Sequence, residues 1–399
     1  MTNTSDLREL FERHRVIVTV GAGGVGKTTV AAALALSAAQ SGKRTLCLTI
    51  DPARRLASSL GLKSFPREQL DVPVDFLAAH GVALQAPLTV MMLDAQTTFD
   101  DLIRRFAATE EEAARILEHR FYAHLSKSLA GTQAYMAMEK VLSVMNDERY
   151  ELIVLDTPPS ARTLDFFDAP RRMSDILDSP ATRGLVSAIG RSKKLQLGIL
   201  AAGIRRAIGG LERVTGSGLI GEVADLLSAM NGLFGGFSER ARKVEASLRS
   251  EEFAYVLVAA PSPKTVFDAV ALARAMRERQ LKVSALVMNR MAISLEDCEF
   301  DESAQQHLSA AGISTDAVAA VARLSAKEEA RSRSQHRLSA TLLDALGPEV
   351  RKAWVPAFAE DVHEPERLTE VASFLSGELE LPENRRSGAY SSSLPLPRK

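Results

Sequence analysis

The sequence predicts an α/β fold, a doubly wound and mostly parallel sheet with an inserted helical subdomain, and three observations carry that expectation. Near-continuous apolar runs recur with helical stretches between them: Val16–Val20, Thr45–Ile50, Leu88–Leu93, Leu152–Leu155, Tyr255–Ala259, Val283–Met288 and Trp354–Phe358. Strands buried on both faces read this way, and covering both faces takes helices between parallel strands. The first run leads directly into a glycine-rich turn and a helix-like stretch, "VIVTVGAGGVGKTTV", Val16 to Val30. Two connections are too long for a crossover unit of ~30 residues: Leu93 to Leu152, and Asp156 to Tyr255.

Taken in order, the first strand ends at the glycines and a helix over Thr28–Ser41 follows, closed by Gly42. The strand Thr45–Ile50 ends at Asp51-Pro52. Between Leu93 and Leu152, Phe99, Ile103 and Phe106 share one helical face. In the second long connection Leu197, Leu200, Ile204, Ile208 and Leu211 line one stripe; after the breaker Thr215-Gly216-Ser217-Gly218, Ile220, Val223, Leu227, Met230, Phe234 and Phe237 line another. Between Arg183 and Arg213 seven residues are basic (Arg183, Arg191, Lys193, Lys194, Arg205, Arg206, Arg213) against the single acid Glu212. A basic, apolar helical hairpin suits a partner's apolar segment or a membrane surface. A helical cap on the protein's own core, or a subunit interface, gives the same pattern. Glycines at 198, 203, 209 and 210 lower helix propensity, which suits a mobile element. The expected organisation is a discontinuous core of 1–170 and 250–380, a helical subdomain of 171–249, and a disordered tail over 381–399, "ENRRSGAYSSSLPLPRK" at its end.

Composition excludes several classes. Hydrophobic residues at 46% and charged residues at 25% fit a globular chain with a sizeable core. Lys+Arg 49 against Asp+Glu 50 leave no global field to attract nucleic acid. The longest uncharged stretch, Phe76–Leu93, contains His80, Gln85 and Pro87, so it is no membrane span. The polar N-terminus is not a secretory signal, and the expected location is cytoplasmic, free or peripheral to the inner membrane. Cys47 and Cys298 form no C-x-x-C pair, so no structural zinc site and no disulfide framework are expected. Cys47, inside a strand, reads as a small buried thiol.

Gly21-x-x-x-x-Gly26-Lys27-Thr28 has the spacing of a phosphate-binding loop and lies between a strand and a helix, as that chemistry requires. Gly21, Gly23, Gly24, Val25 and Gly26 bring successive backbone N–H groups together, and the helix N-terminus adds partial positive charge. Lys27 would neutralise the β- and γ-phosphates, Thr28 would ligate Mg²⁺, and Thr29 would meet the α-phosphate. Asp156, ending "ELIVLD", suits a carboxylate holding a water of the magnesium shell. The Thr157-Pro158-Pro159-Ser160 stretch after it suits a switch that turns sharply. Asp51 is the candidate for orienting the attacking water and joins Thr28 and Asp156 as a candidate metal residue; a helix N-cap is its alternative. The candidate catalytic residues are therefore Lys27, Asp51 and Asp156.

The motifs "GAGGVGKTT", "DPARRLASSLG" and "LDTPPSARTLDFFDAP" resemble the ArsA/guided-entry ATPases, a branch of the deviant Walker A P-loop NTPases that includes tail-anchored protein targeting factors. The resemblance covers roughly residues 15 to 375, and "SLAGTQAYMAMEK" (Ser128–Lys140) resembles a bacterial subgroup whose members can occur as paired subunits. It implies Asp51 in switch I, Asp156 heading switch II with Arg162–Leu164 after it, and Asn289 as adenine reader. Asn289-Arg290-Met291-Ala292 lacks the Asp of a guanine site, so ATP with Mg²⁺ is implied over GTP. A homodimer, or a heterodimer with a paralogous ATPase, and a client protein or membrane-protein partner on 171–249 are implied, without zinc and without nucleic acid.

Departures from the family pattern narrow the reading. Members commonly carry a second lysine early in the loop that crosses a dimer to the partner's phosphates; Ala22 stands there, and Arg54 and Arg55 are candidate substitutes. The metalloid-binding cysteines of arsenical-pump ATPases and the C-x-x-C clasp of eukaryotic guided-entry ATPases are both missing. The expected activity is Mg-dependent ATP hydrolysis coupled to rearrangement of the helical subdomain. Its downstream role stays open between a targeting ATPase, the energising subunit of a membrane transport complex, and a partition-like positioning ATPase.

Overall fold

The computed structural model describes residues 6–50, 57, 60–62, 68–119, 122, 132–158, 160–179, 231–293, 302–362 and 364–381. Among them eight strands, β1 (Val16–Gly21), β2 (Thr45–Thr49), β3 (Leu70–Asp71), β4 (Leu88–Met92), β5 (Leu152–Asp156), β6 (Phe253–Ala259), β7 (Val283–Met291) and β8 (Arg351–Pro356), form one sheet. Its order is β3-β4-β2-β5-β1-β6-β7-β8. Every pair is parallel except β3 with β4. The seven apolar runs therefore all become strands. The two-residue edge strand β3 was not foreseen, because two residues carry no period to read.

The helices are α1 (Glu9–Arg13), α2 (Lys27–Gln40), α3 (Val74–Ala79), α4 (Ala95–Phe106), α5 (Glu110–Leu117), α6 (Thr132–Met145), α7 (Ser160–Asp178), α8 (Asn231–Leu248), α9 (Pro263–Glu278), α10 (Glu302–Ala310), α11 (Thr315–Leu346) and α12 (Pro365–Leu375). Alanine-rich α2 is apolar all round, and every residue from Val30 to Ala39 is buried. Alanine favours the helix and its small side chain permits close packing. Helix α2 packs against β1, β2, β5 and α12. It shares one apolar cluster with Ile17, Val90, Val154, Val256, Val287 and Val355, every second residue of successive strands. The alternate residues, among them Val18, Leu48, Leu155 and Leu257, are buried too, and α9 packs against β6, β1 and β7. Helix α2 stops in a Schellman turn: Gly42 takes φ +88°, its N–H bonds the Ala39 carbonyl at 3.2 Å, and the Lys43 N–H bonds that of Ala38 at 3.0 Å.

Contacts divide the chain into two compact units, Met1–Met92 with Glu148–Thr163 and Glu251–Lys399, and Leu93–Asp147 with Leu164–Ser250. The first holds the sheet. In the second, α4, α6 and α8 pack together around Phe99, Phe106, Tyr122 and Phe237, with ring centroids 5.6–6.0 Å apart. Residues 93–147, which the sequence placed with the sheet core, thus group with the helical region. The apolar face read from Phe99, Ile103 and Phe106 faces other helices. Buried Glu139 of α6 pairs with Arg240 of α8 and accepts from the Tyr135 hydroxyl at 3.2 Å. The hairpin read over 183–237 lies outside the described residues up to 230, as does the tail from 382.

Candidate nucleotide site

The site forms where β1 runs into α2. Gly21 ends β1 in register with Val258 of β6, and a Cβ on it would lie 2.2 Å from the Val258 carbonyl oxygen. Gly24 and Gly26 take φ of +76° and +96°, in the left-handed region that costs other residues. Gly23 and Gly24 are exposed at the tip, while Ala22 and Val25 turn inward and belong to the α2 cluster. Ala22 is only 6% exposed, so the position where the family commonly has a lysine takes a small apolar side chain here. An apolar position and the cation it replaces are exclusive uses of one site.

Lys27 opens α2 and is 6% exposed, with its Nζ donating to the Ala22 carbonyl at 2.9 Å. Its ammonium therefore bridges the loop from within, beside the positive end of a helix, an arrangement built for an anion. Asp156 ends β5 and is 1% exposed. Parallel register sets Asp156 beside Thr19 of β1 and Thr49 of β2. The Thr28 hydroxyl donates to Asp156 Oδ2 at 2.6 Å and the Thr49 hydroxyl donates to the same oxygen at 3.1 Å. The Thr157 hydroxyl donates to the Thr19 carbonyl at 2.6 Å, tying the chain after β5 to β1. Cys47, two residues before Thr49, is fully buried, and burial first, then the Asp156 charge, push its thiol far up. The reading of Cys47 as a small buried thiol agrees with its burial.

Asn289 lies on β7 and is 8% exposed. Its Nδ2 donates to the Val25 carbonyl at 2.9 Å, and its Oδ1 accepts the Arg290 backbone N–H at 3.0 Å. A Cβ on Gly26 would come 2.1 Å from that Nδ2. Arg290 takes φ +65°, rare for a side chain of its size, and its exposed guanidinium donates to the Gly24 carbonyl at 3.3 Å. An amide carries two donor hydrogens and two acceptor lone pairs, so one of each remains in the Asn289 inventory for an adenine edge.

The donor set suits ATP with Mg²⁺. A glycine loop, a buried ammonium and a helix N-terminus fit a polyphosphate. Hard oxygens from Thr28 and Asp156 fit a cation that keeps several waters, and among the described residues no group of three or more His, Cys, Asp and Glu gathers to compete. Thr29 sits half-buried in the first turn of α2. Asp51, Arg54, Arg55 and Cys298 lie outside the described residues.

A family model described as "Anion-transporting ATPase" matches residues 14–308, a span that takes in the loop, Asp156 and Asn289. The chain belongs to the anion-transporting ATPase family. Members of that family are P-loop ATPases. Among curated relatives, a protein named ATPase GET3 from Phaeosphaeria nodorum is 24% identical over 289 residues, 71% of this chain and 79% of its own. An uncharacterized Streptomyces coelicolor protein is 30% identical over 187 residues, 44% of each chain. A putative arsenical pump-driving ATPase of Halobacterium salinarum is 28% identical over 182 residues, 45% of this chain and 27% of its own. The Phaeosphaeria protein apart, the matched stretch spans about half or less of these relatives' own length.

Sequence reasoning missed two residues at this family site. Thr49 carried a signal, a polar side chain at the end of an apolar strand two positions before Asp51. Arg290 followed Asn289 directly, yet nothing local announces a left-handed arginine or its reach to another strand's loop.

Proposed function

We propose that this chain is a Mg²⁺-dependent ATPase that couples hydrolysis to rearrangement of a client- or partner-binding helical region within 171–249. One observation carries the reading: an ammonium folded into a glycine loop at a helix N-terminus, followed directly by Thr28, whose hydroxyl donates to a buried carboxylate that also holds the Thr49 hydroxyl. Lys27 and the loop amides would bind the β- and γ-phosphates. Thr28 directly, and Asp156 through water, would hold Mg²⁺, which when bound neutralises charge developing on the phosphoryl oxygens. Asp51 would orient the water that attacks the γ-phosphorus as the bond to ADP breaks, with Asn289 reading the adenine edge. The γ-phosphate shifts the helical region only through contacts it makes in one state and not in the other.

Family membership and the named relatives support a dimer, of identical subunits or with a paralogous ATPase. A second reading, the energising subunit of a membrane transport complex, draws on the family's description and on the Halobacterium relative. It makes a peripheral position at the inner membrane the expected one. Among the described residues no helix is long and apolar enough to cross a membrane, so such a complex needs a separate integral partner.

The test of the enzyme reading is Lys27→Ala. Nucleotide affinity and hydrolysis should both collapse; unchanged affinity and turnover would falsify the assignment. Capture with Asp51→Asn, expected to retain ATP, separates the partner readings. Diverse proteins sharing hydrophobic tails support the client role, and one defined integral membrane protein supports the transport role.

A further inference from the structure

We propose that Asn289 and Arg290 are positioning residues for the phosphate loop, a two-point clamp that fixes the direction of its amides. The inference rests on the polyphosphate reading of that loop and deepens it. Asn289 donates to the Val25 carbonyl at 2.9 Å and Arg290 to the Gly24 carbonyl at 3.3 Å, so neighbouring residues of β7 hold neighbouring carbonyls of the loop. A peptide group is planar and trans, so its N–H points opposite to its C=O. Holding the Gly24 carbonyl therefore aims the Val25 N–H away from β7, and holding the Val25 carbonyl does the same for the Gly26 N–H. Those N–H groups are the donors a phosphate would meet.

Two further features belong to the clamp. Gly26 passes so close to the Asn289 amide that a Cβ would lie 2.1 Å from Nδ2, which leaves the amide room to reach the loop. Arg290 occupies a left-handed conformation, φ +65°, and its N–H is held by Asn289 Oδ1, so the amide organises both arms. Strain at a non-glycine residue persists where the surroundings over-determine it. A residue that only read adenine would need neither the carbonyl contact nor an arginine at its side.

Inorganic tripolyphosphate with Mg²⁺ tests the clamp, because it has phosphates and no base. Calorimetry should show its affinity falling by about three- to tenfold in Asn289→Ala and in Arg290→Ala, the worth of one lost hydrogen bond each. Arg290→Lys, which keeps a donor, should recover part of the loss. Arg290→Gly relieves the backbone while removing the donor, so it should fold at least as well as wild type and still bind weakly. If Asn289→Ala weakens ATP while all four variants bind tripolyphosphate like wild type, Asn289 is a base contact alone and the clamp is overturned. Lys27→Ala reports on the underlying reading. Wild-type tripolyphosphate binding in that variant removes the phosphate site itself, whereas loss there with no loss in the β7 variants removes only the clamp.

Discussion

At Gly26 two demands meet in one residue, a left-handed backbone and a missing Cβ. Alanine there would have to adopt φ +96° and displace the Asn289 amide. Gly26→Ala should therefore destabilise the fold by about 1–3 kcal/mol in urea unfolding and abolish tripolyphosphate binding as well. Substitution at the exposed Gly24, whose Cβ would meet open space, carries only the conformational cost. Cys47 makes an independent check on burial beside Asp156. Its thiol pKa is raised, so the reactive thiolate is suppressed at mildly alkaline pH. In a Cys298→Ser background a thiol reagent at about pH 8, near the ordinary cysteine pKa, should label nothing in folded protein and one thiol after unfolding.

Among the elements, α2 is held by packing on the sheet and on α12, so the loop at its start inherits a fixed origin. The helical unit shows a different economy. Glu139 is 1% exposed and pairs with Arg240, which also lies over the Phe106 ring at 5.6 Å. Removing one partner strands a buried charge: Arg240→Ala should cost about 3–5 kcal/mol, and the double change Glu139→Leu with Arg240→Met much less. Urea unfolding of the single and double variants measures both. Tyr135 adds a pH signature. Burial first, and then the Glu139 charge, raise its hydroxyl pKa above the ordinary value of about 10. Above that pH the unfolded chain loses this proton while the folded chain keeps it, so the unfolded state binds fewer protons and stability falls as pH rises. Below it the contribution is intact. Tyr135→Phe should flatten the alkaline loss in unfolding free energy.

For the whole molecule, the family model spans both compact units, since 14–308 runs through the sheet and the helical region alike. Nucleotide chemistry and partner binding are proposed to reside in different units. Deleting 183–230, which spares α8 and the buried Phe237, should then leave ADP affinity within about twofold, less than one hydrogen bond's worth, while abolishing partner capture. Loss of folding instead would identify that region as a cap on the protein's own core. The deletion is read by calorimetry and by pull-down from the same preparation.

Much of the architecture was legible because its signals are local. Continuous apolar runs marked each of the seven longer strands, and strand, glycines, lysine and threonine lie within one unbroken stretch of chain. The grouping of 93–147 with the helical unit was not legible, because an amphipathic stripe shows that a face is buried and not what buries it. The role of Arg290 was hidden for a related reason, since nothing local announces its left-handed backbone, whereas Thr49 showed only as a polar residue ending an apolar strand.

The sequence by itself determined the loop, since phosphate binding of this kind is done by main-chain groups of consecutive residues whose conformations glycine permits. Tertiary structure alone decided the company that loop keeps. Parallel register, a long-range property, brings Asp156 and Thr49 to Thr28 and sets Asn289 and Arg290 against the Val25 and Gly24 carbonyls, and no local preference encodes which strand ends lie side by side.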